Sequence, residues 1–184
     1  MDIEQYILEH SEQEAMLLSR LERDANVHLL HPRMVSGHIQ GRLLSSLSWM
    51  IRPRRILEIG TYVGYSAMCL AEGLAEDGQV ITIDIDDEIE DMARRYIGES
   101  PYASKINFII GDAVKLIPDM NEVFDLVFID GNKRDYIEYF ETVLPKVRKN
   151  GFILADNTLW AGKVLRSRPA MTTRPKVCRR LMIT

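Results

Sequence analysis

The architecture of this 184-residue chain follows from one segment, Arg55-Ile-Leu-Glu-Ile-Gly-Thr-Tyr-Val-Gly-Tyr-Ser66. The apolar run from Ile56 to Ile59 is typical of a buried parallel strand. Gly60 and Gly64 indicate a turn after that strand, and a helical pattern resumes directly afterwards. A strand, a glycine turn and a helix in this order let a ligand lie against bare backbone at the start of the helix. The segment therefore predicts a ligand-binding edge of an α/β sheet.

The spacing of the glycines narrows the class of ligand. A dinucleotide site has the pattern Gly-x-Gly-x-x-Gly, which seats a pyrophosphate on the turn. This chain instead has Glu58-x-Gly60-x-x-x-Gly64. A carboxylate beside the turn repels a pyrophosphate and attracts a cationic, amine-bearing ligand. S-adenosylmethionine, with its sulfonium and α-amino group, fits this turn better than a nicotinamide dinucleotide, and a glycine turn that binds no ligand is the alternative.

The composition is that of an ordinary globular protein, with 46% hydrophobic and 27% charged residues. No apolar run approaches the roughly 20 residues of a membrane span. The two cysteines, Cys69 and Cys178, make no disulfide framework, which favours the reducing cytoplasm. The net charge is −4, but residues 165–184 hold six cations and no acid, so residues 1–164 carry 17 basic and 27 acidic side chains. Such an acidic body argues against nucleic acid as the main partner.

Strand and helix patterns alternate along the chain. Helices are predicted at 3–21 (one or two), 40–50, 65–75, 86–97 and 133–149. Strands are predicted at 56–59, 79–84, 106–110, 124–129 and 152–155. This alternation indicates a doubly wound α/β sheet with right-handed crossovers.

Polar side chains follow all five predicted strands, at the point where each strand ends. They are Glu58, Asp84, Asp112, Asp130, and Asp156 with Asn157. In doubly wound sheets, ligands bind outside the carboxyl ends of the strands. An acid after the second strand, here Asp84, can accept both ribose hydroxyls of an adenosine, or it can simply cap the helix that follows.

Asp130, Asp156 and Asn157 would lie on neighbouring strand ends. An oxygen-only ligand set selects a hard cation such as Mg²⁺ or Ca²⁺; a helix-capping aspartate and an asparagine in a turn are the alternative. Lys133 lies one turn beyond Asp130 and would face the same cleft. Positive charge from a metal and a sulfonium would favour its neutral amine, which suits it to accept a proton from a hydroxyl. The alternative is an ordinary solvated lysine.

Five motifs occur in order along the chain: Leu57-Glu-Ile-Gly-Thr-Tyr-Val-Gly-Tyr-Ser66, Val80-Ile-Thr-Ile-Asp84, Gly111-Asp-Ala113, Phe124-Asp-Leu-Val-Phe-Ile-Asp-Gly-Asn-Lys-Arg-Asp-Tyr136 and Ala155-Asp-Asn-Thr-Leu-Trp-Ala-Gly-Lys-Val164. Together they resemble the metal-dependent class I O-methyltransferases of the catechol and caffeoyl-CoA type, and most closely their bacterial members. The resemblance runs from about Arg33 to Val164. It implies a Rossmann-like, mostly parallel sheet.

The resemblance also implies roles for individual residues. The methionine end of S-adenosylmethionine would bind at Glu58, Gly60 and Ser66, its ribose at Asp84 and its adenine beside Asp112 and Ala113. A segment from Met34 to Gly41 would cover this cofactor. The full cofactor-binding set is Met34, Val35, Ser36, Glu58, Gly60, Thr61, Tyr62, Ser66, Asp84, Ile85, Asp112, Ala113 and Asp130.

A second group of implied roles concerns the chemistry. The metal, Mg²⁺, Mn²⁺ or Ca²⁺, would bind to Asp130, Asp156 and Asn157. Lys133 would be the general base, with Asp130 as the other catalytic residue, and Lys133 and Trp160 would contact the substrate. That substrate would be a catechol-like hydroxylated aromatic molecule with two adjacent oxygens. The protein would be a cytoplasmic homodimer without membrane or nucleic-acid partners.

Residues 165–184 depart from the family pattern, so we expect a methyltransferase domain at 1–164 and an irregular basic tail at 165–184. We expect the last two strands to be missing or replaced because of a frameshift. One legal encoding of Pro169 to Ile183, read two bases later, gives Gly-His-Asp-Asp-Ala-Pro-Lys-Gly-Val, which resembles the family's missing segment. The sheet would then have an exposed apolar edge, which favours low stability or association. A catalytically impaired remnant that still binds S-adenosylmethionine is the alternative function.

Overall fold

A computed structural model of the chain describes residues 2–158. The predicted tail at 165–184, Trp160 and the two strands expected to be missing or replaced lie outside this range. The helices within it are α1 (Ile3–Glu9), α2 (Met16–His28), α3 (Gly37–Ile51), α4 (Tyr65–Ala71), α5 (Glu90–Glu99), α6 (Ala113–Leu116) and α7 (Tyr136–Val143). The strands are β1 (Arg55–Ile59), β2 (Gln79–Asp84), β3 (Ile106–Ile110), β4 (Phe124–Ile129) and β5 (Val147–Ala155).

The five described strands form one parallel sheet in the order β3-β2-β1-β4-β5. The chain first builds outward from β1 to β3, then returns to the other side of β1 and continues to β5. The direction of winding therefore reverses between β1 and β4, which is where doubly wound sheets bind their ligands. The predicted doubly wound, mostly parallel α/β fold is confirmed.

Helices cover both faces of the sheet, and the side chains along each strand alternate between these two faces. On one face, Ile56 packs into a core with residues of helices α2 to α5. On the other, Leu57 and Ile59 pack with residues of α6 and α7. By this alternation Glu58 shares the face of Ile56, and its side chain is fully buried. An acid inside an apolar layer needs hydrogen-bond donors, and these belong to the site described below.

The predicted strands were more accurate than the predicted helices. The helix predicted at 133–149 is wrong: α7 ends at Val143, and a 3₁₀ turn from Leu144 to Lys146 leads into β5. Pro145 lies in that turn and cannot continue an α-helix, because it has no backbone N–H to donate. β5 consequently begins five residues earlier than predicted, at Val147 rather than Phe152.

Three other helix boundaries differ from the prediction. The helix predicted at 86–97 begins later, at Glu90, because the Asp84 and Asp86 carboxylates accept the backbone N–H groups of Asp86 and Glu88 and form turns that compete with the helix. The helix predicted at 65–75 ends at Ala71. The helix predicted at 40–50 begins earlier, at Gly37. Among residues 2–158, no helix has the length and apolar character needed to cross a membrane.

Candidate active site

A cavity of about 440 Å³ opens at the carboxyl edge of the sheet. Its walls come from the loops after the strands and from the segment before α3. The predicted site residues that line it are Met34, Val35, Ser36, Gly60, Thr61, Tyr62, Ser66, Asp84, Ile85, Asp112, Ala113, Asp130, Lys133, Asp156 and Asn157. Glu58 does not line it, and Trp160 lies outside the described residues. The carboxyl edge of the sheet thus brings together residues that are up to about 120 positions apart in the chain.

The floor of the cavity is the glycine turn after β1. Gly60 has φ +102°, and a Cβ atom placed on it would lie 2.6 Å from the carbonyl oxygen of Asp130. Gly64 has φ +86° and begins the connection to α4. Both values lie in the region that glycine adopts far more readily than other residues. The turn therefore leaves bare backbone facing the cavity, and the close approach to β4 explains why only glycine fits at position 60.

Below this floor, the buried carboxyl of Glu58 is joined to a chain of threonine hydroxyl groups. The Thr82 hydroxyl donates to Glu58 Oε2 at 2.5 Å, and the Thr61 and Thr82 hydroxyl oxygens lie 2.6 Å apart. Glu58 Oε1 has no hydrogen-bond partner among the described residues. Burial raises the pKa of Glu58 to about 8, the hydroxyls of Ser66 and Thr82 oppose that rise, and the charges of Asp130 and Asp84 add to it. A cationic ligand in the cavity above would favour the ionised form of this carboxyl, which could then attract the ligand from beneath the cavity wall.

Asp84 lies at the mouth of the cavity and is held from both sides. Its Oδ2 accepts the backbone N–H of Tyr62 at 2.6 Å, and its Oδ1 accepts that of Asp86 at 3.0 Å. Helix α5 begins only at Glu90, so the alternative that Asp84 caps this helix is wrong. The carboxylate is instead fixed between the β1 and β2 turns, with lone pairs left for hydroxyl donors.

Asp130 and Lys133 form the polar wall opposite. Lys133 Nζ donates to Asp130 Oδ1 at 2.6 Å and to the Tyr136 hydroxyl at 2.5 Å. That hydroxyl donates in turn to the Ile129 carbonyl at 3.1 Å. Lys133 is therefore held at the cavity wall rather than freely solvated. Tyr136 was not predicted as a site residue, although its spacing of three residues from Lys133 is a usable signal.

Asp156 stands beside Asp130 because β5 is the neighbour of β4, and its backbone N–H donates to the Ile129 carbonyl at 3.0 Å. Burial raises the pKa of Asp130, Lys133 opposes this, and the negative charge of Asp156 raises it further. The two carboxylates are therefore close enough to repel each other. A cation between them would relieve that repulsion.

The oxygen donors in this corner fit a hard divalent cation. They are two carboxylates and the side-chain amide of Asn157, a residue with φ +52° whose backbone N–H bonds to Asp156 Oδ1 at 2.6 Å. The alternative that Asn157 simply lies in a turn also agrees with the structure, because the Asp156 side chain accepts the backbone N–H of Asn157. Within residues 2–158 there is no group of three or more histidine, cysteine, aspartate or glutamate side chains placed to hold a metal.

Other residues on the cavity wall were not predicted. Gln40 on α3 donates from Nε2 to Asp156 Oδ2 at 3.1 Å. Tyr139 on α7 lies against Gly131, and burial raises the pKa of its hydroxyl to about 12. Tyr65 also lines the wall, and its hydroxyl donates to Glu14 at 2.5 Å. These contacts join distant parts of the chain, so no local sequence pattern could predict them.

The chain is similar to known O-methyltransferases. The family model described as O-methyltransferase matches residues 8–181. This match begins before Arg33 and ends after Val164, so the likeness is longer at both ends than the motifs indicate. The chain is 32% identical to a caffeoyl-CoA O-methyltransferase of Stellaria longipes over 170 residues, which cover 88% of this chain and 70% of that protein. It is 34% identical to tricin synthase 1 of Oryza sativa subsp. japonica over 140 residues, covering 71% of this chain and 56% of that protein.

Solved structures agree with these relatives. The O-methyltransferase TomG from Streptomyces achromogenes, in complex with SAM, superposes with a TM-score of 0.90 at 30% identity, covering 98% of this chain and 82% of that one. An O-methyltransferase from Bacillus cereus, in complex with SAH, gives a TM-score of 0.91 at 28% identity, covering 98% of this chain and 83% of that one.

Proposed function

The chain belongs to the S-adenosylmethionine-dependent O-methyltransferase family of the caffeoyl-CoA type, and from that premise we propose that it methylates one of two adjacent oxygens on a hydroxylated aromatic acceptor with the help of a divalent cation. The observation that carries the proposal is the convergence of Asp130, Lys133 and Asp156 on the cavity whose floor is the glycine turn. A methyl donor on that floor and an acceptor beside the acids would share one cavity.

The donor half of the site has a negative lining and a backbone floor. S-adenosylmethionine supplies an electrophilic methyl group on a sulfonium. The turn at Gly60 offers it close approach to the main chain, and Asp84 offers acceptors for its ribose hydroxyls. The buried carboxyl of Glu58 lies below, where its ionised form would attract the positive donor.

The acceptor half of the site would be assembled around the cation. Asp130, Asp156 and Asn157 would hold it, since carboxylate and amide oxygens suit Mg²⁺, Mn²⁺ or Ca²⁺. When bound, a divalent cation lowers the pKa of a hydroxyl that it contacts and neutralises developing negative charge. Two adjacent acceptor oxygens suit such a centre better than one, because they can bind in a bidentate manner.

Lys133 would take up, on its Nζ atom, the proton that leaves the hydroxyl of the aromatic substrate. Its amine lies on the cavity wall beside Asp130 and is oriented by the Tyr136 hydroxyl. As the O–H bond breaks, the acceptor oxygen forms its bond to the methyl carbon, and the carbon–sulfur bond of the donor breaks to leave a neutral thioether. Because the reaction joins two bound molecules in line, much of its rate would come from alignment in the cavity.

A methylation assay tests the proposal. The full chain, S-adenosylmethionine labelled on its methyl group and Mg²⁺ are incubated with catechol or with phenol, which lacks the second oxygen. We expect labelled product from catechol and at least tenfold less from phenol. Calorimetric titration with S-adenosylhomocysteine is run in parallel. Cofactor binding without turnover on any vicinal diol would favour the alternative of a catalytically impaired S-adenosylmethionine-binding remnant.

A further inference from the structure

Gln40 connects helix α3 to Asp156, which lies 116 positions later in the chain. Its Nε2 donates to Asp156 Oδ2 at 3.1 Å. The other oxygen of this carboxylate, Oδ1, accepts the backbone N–H of Asn157 at 2.6 Å. Each oxygen of Asp156 therefore has its own donor, so the rotation of the carboxylate about its terminal bond is restrained from two sides.

The backbone that carries Gln40 is held firmly against α4. A Cβ atom on the next residue, Gly41, would lie 2.7 Å from the ring of Tyr65, so the two helices are in close contact there. About two turns further along α3, the Ser48 hydroxyl donates to the Leu70 carbonyl at 2.6 Å. Since α4 starts at the glycine turn, Gln40 has a fixed position relative to the floor of the cavity.

The chemistry of the Gln40 bond leaves Asp156 able to bind a cation. A neutral amide N–H orients a carboxylate without removing its charge, and each carboxylate oxygen has a second lone pair for another partner. Groups placed behind metal-binding side chains act in this way, and their loss commonly weakens metal binding 10- to 100-fold. Asp130 has a different partner, because Lys133 Nζ donates to its Oδ1.

We propose that Gln40 is a positioning residue of the cation site: it holds the Asp156 carboxylate toward the cavity that Asp130 also lines, so that both can close on one divalent ion. The inference rests on the proposed function, because it takes Asp130 and Asp156 to be the cation's carboxylate ligands. It adds a residue from α3, an element that carries none of the predicted ligands.

Titration with Mn²⁺ alone tests this role without relying on turnover. The full chain is freed of metal, and unbound Mn²⁺ is followed by its electron paramagnetic resonance signal. Gln40→Ala should bind Mn²⁺ about tenfold more weakly than the wild type. Gln40→Met, which keeps the length of the side chain but has no N–H to donate to Asp156, should bind it as weakly as Gln40→Ala. Gln79→Met is the matched control and should bind like the wild type, since Gln79 is exposed at the start of β2, at the opposite edge of the sheet.

Calorimetry with S-adenosylhomocysteine provides the second readout, and we expect Gln40→Ala to lose less affinity for it than for Mn²⁺. Unchanged Mn²⁺ binding in both Gln40 variants would overturn the inference while leaving the proposed function intact. If Gln40→Ala does not fold, Gln40→Met decides by itself, with weaker Mn²⁺ binding as the supporting result and unchanged binding as the result that overturns the inference. A wild-type chain that binds S-adenosylhomocysteine but no Mn²⁺ would instead remove the cation from the proposed function, and the role of Gln40 with it.

Discussion

The Nζ atom of Lys133 donates to Oδ1 of Asp130 across 2.6 Å, and both side chains line the same cavity. Each of the two side chains is only about one-fifth exposed. A lysine in this position is neither a solvated surface charge nor a buried structural ion. It is a fixed amine at the wall of the space where we place the acceptor.

Replacing Lys133 with methionine should therefore impair the chemistry more than binding. We expect kcat for methylation of catechol to fall by a factor on the order of 10² to 10⁴, the usual contribution of a general base. Affinity for S-adenosylhomocysteine, measured by calorimetry, should be unchanged. Arg134→Met is the matched control, because Arg134 is the exposed neighbour. A Lys133→Met variant with wild-type kcat would rule out this residue as the base.

Tyr136→Phe removes the hydroxyl that links Lys133 to the Ile129 carbonyl. The lost hydrogen bonds should lower the free energy of unfolding by about 1 kcal/mol. Because Nζ is then less well oriented, kcat should fall as well, with KM for the methyl donor unchanged. Urea unfolding and steady-state kinetics measure the two effects. Tyr102→Phe, at a half-buried tyrosine away from the cavity, should leave kcat unaltered, and an equal loss in both variants would argue against the orienting role.

Gly60→Ala should destabilise the protein and abolish cofactor binding. The new methyl group would meet the Asp130 carbonyl at 2.6 Å, and φ +102° is unfavourable for alanine, which alone costs roughly 1–2 kcal/mol. Gly98→Ala provides the contrast, since nothing lies within 4 Å of a Cβ there and the residue is within α5. That variant should gain up to about 1 kcal/mol. Thermal melting and calorimetry would contradict this explanation if Gly60→Ala behaved like Gly98→Ala.

Glu58 should make the ligand-free protein less stable as the pH rises. Burial raises its pKa to about 8 in the folded chain, from an ordinary value of 4.5. Between these two values the folded chain holds a proton that the unfolded chain has lost, so the free energy of unfolding decreases with rising pH, by up to about 1.4 kcal/mol per pH unit.

The variant Glu58→Gln isolates this effect because it cannot ionise. Urea unfolding at pH 5.5 and at pH 8 should show a smaller loss of stability in Glu58→Gln than in the wild type. The variant should also be the more stable protein at pH 8. Parallel pH dependences of the two proteins would mean that Glu58 ionises normally despite its burial.

The strands and the binding edge could be predicted because their causes are local in the sequence. Short apolar runs between turn residues bound the strands, and the polar residue after each strand, such as Asp84 or Asp130, reaches the carboxyl edge by topology alone. Helix limits were less accurate because they depend on single contacts. Pro145 ends α7 earlier than predicted, and the hydrogen bond to the Asp86 carboxylate delays the start of α5. In both regions the apolar periodicity alone predicts a longer helix.

The finer geometry of the site could not be predicted from the sequence, because it depends on contacts between distant segments. Nothing near Gln40 indicates a bond to Asp156, and nothing near Glu58 shows that its carboxyl lies below the cavity wall rather than on it. The acidic residues at the strand ends were recognisable one residue at a time. The groups that orient them were not.

The cation is the central claim, and its most direct test is methyl transfer to catechol by a chain first treated with EDTA and then titrated with Mg²⁺. We expect no product in the chelator, recovery of the rate as Mg²⁺ is added back, and no recovery in Asp156→Ala. A rate that is the same with chelator and with Mg²⁺ would contradict the account.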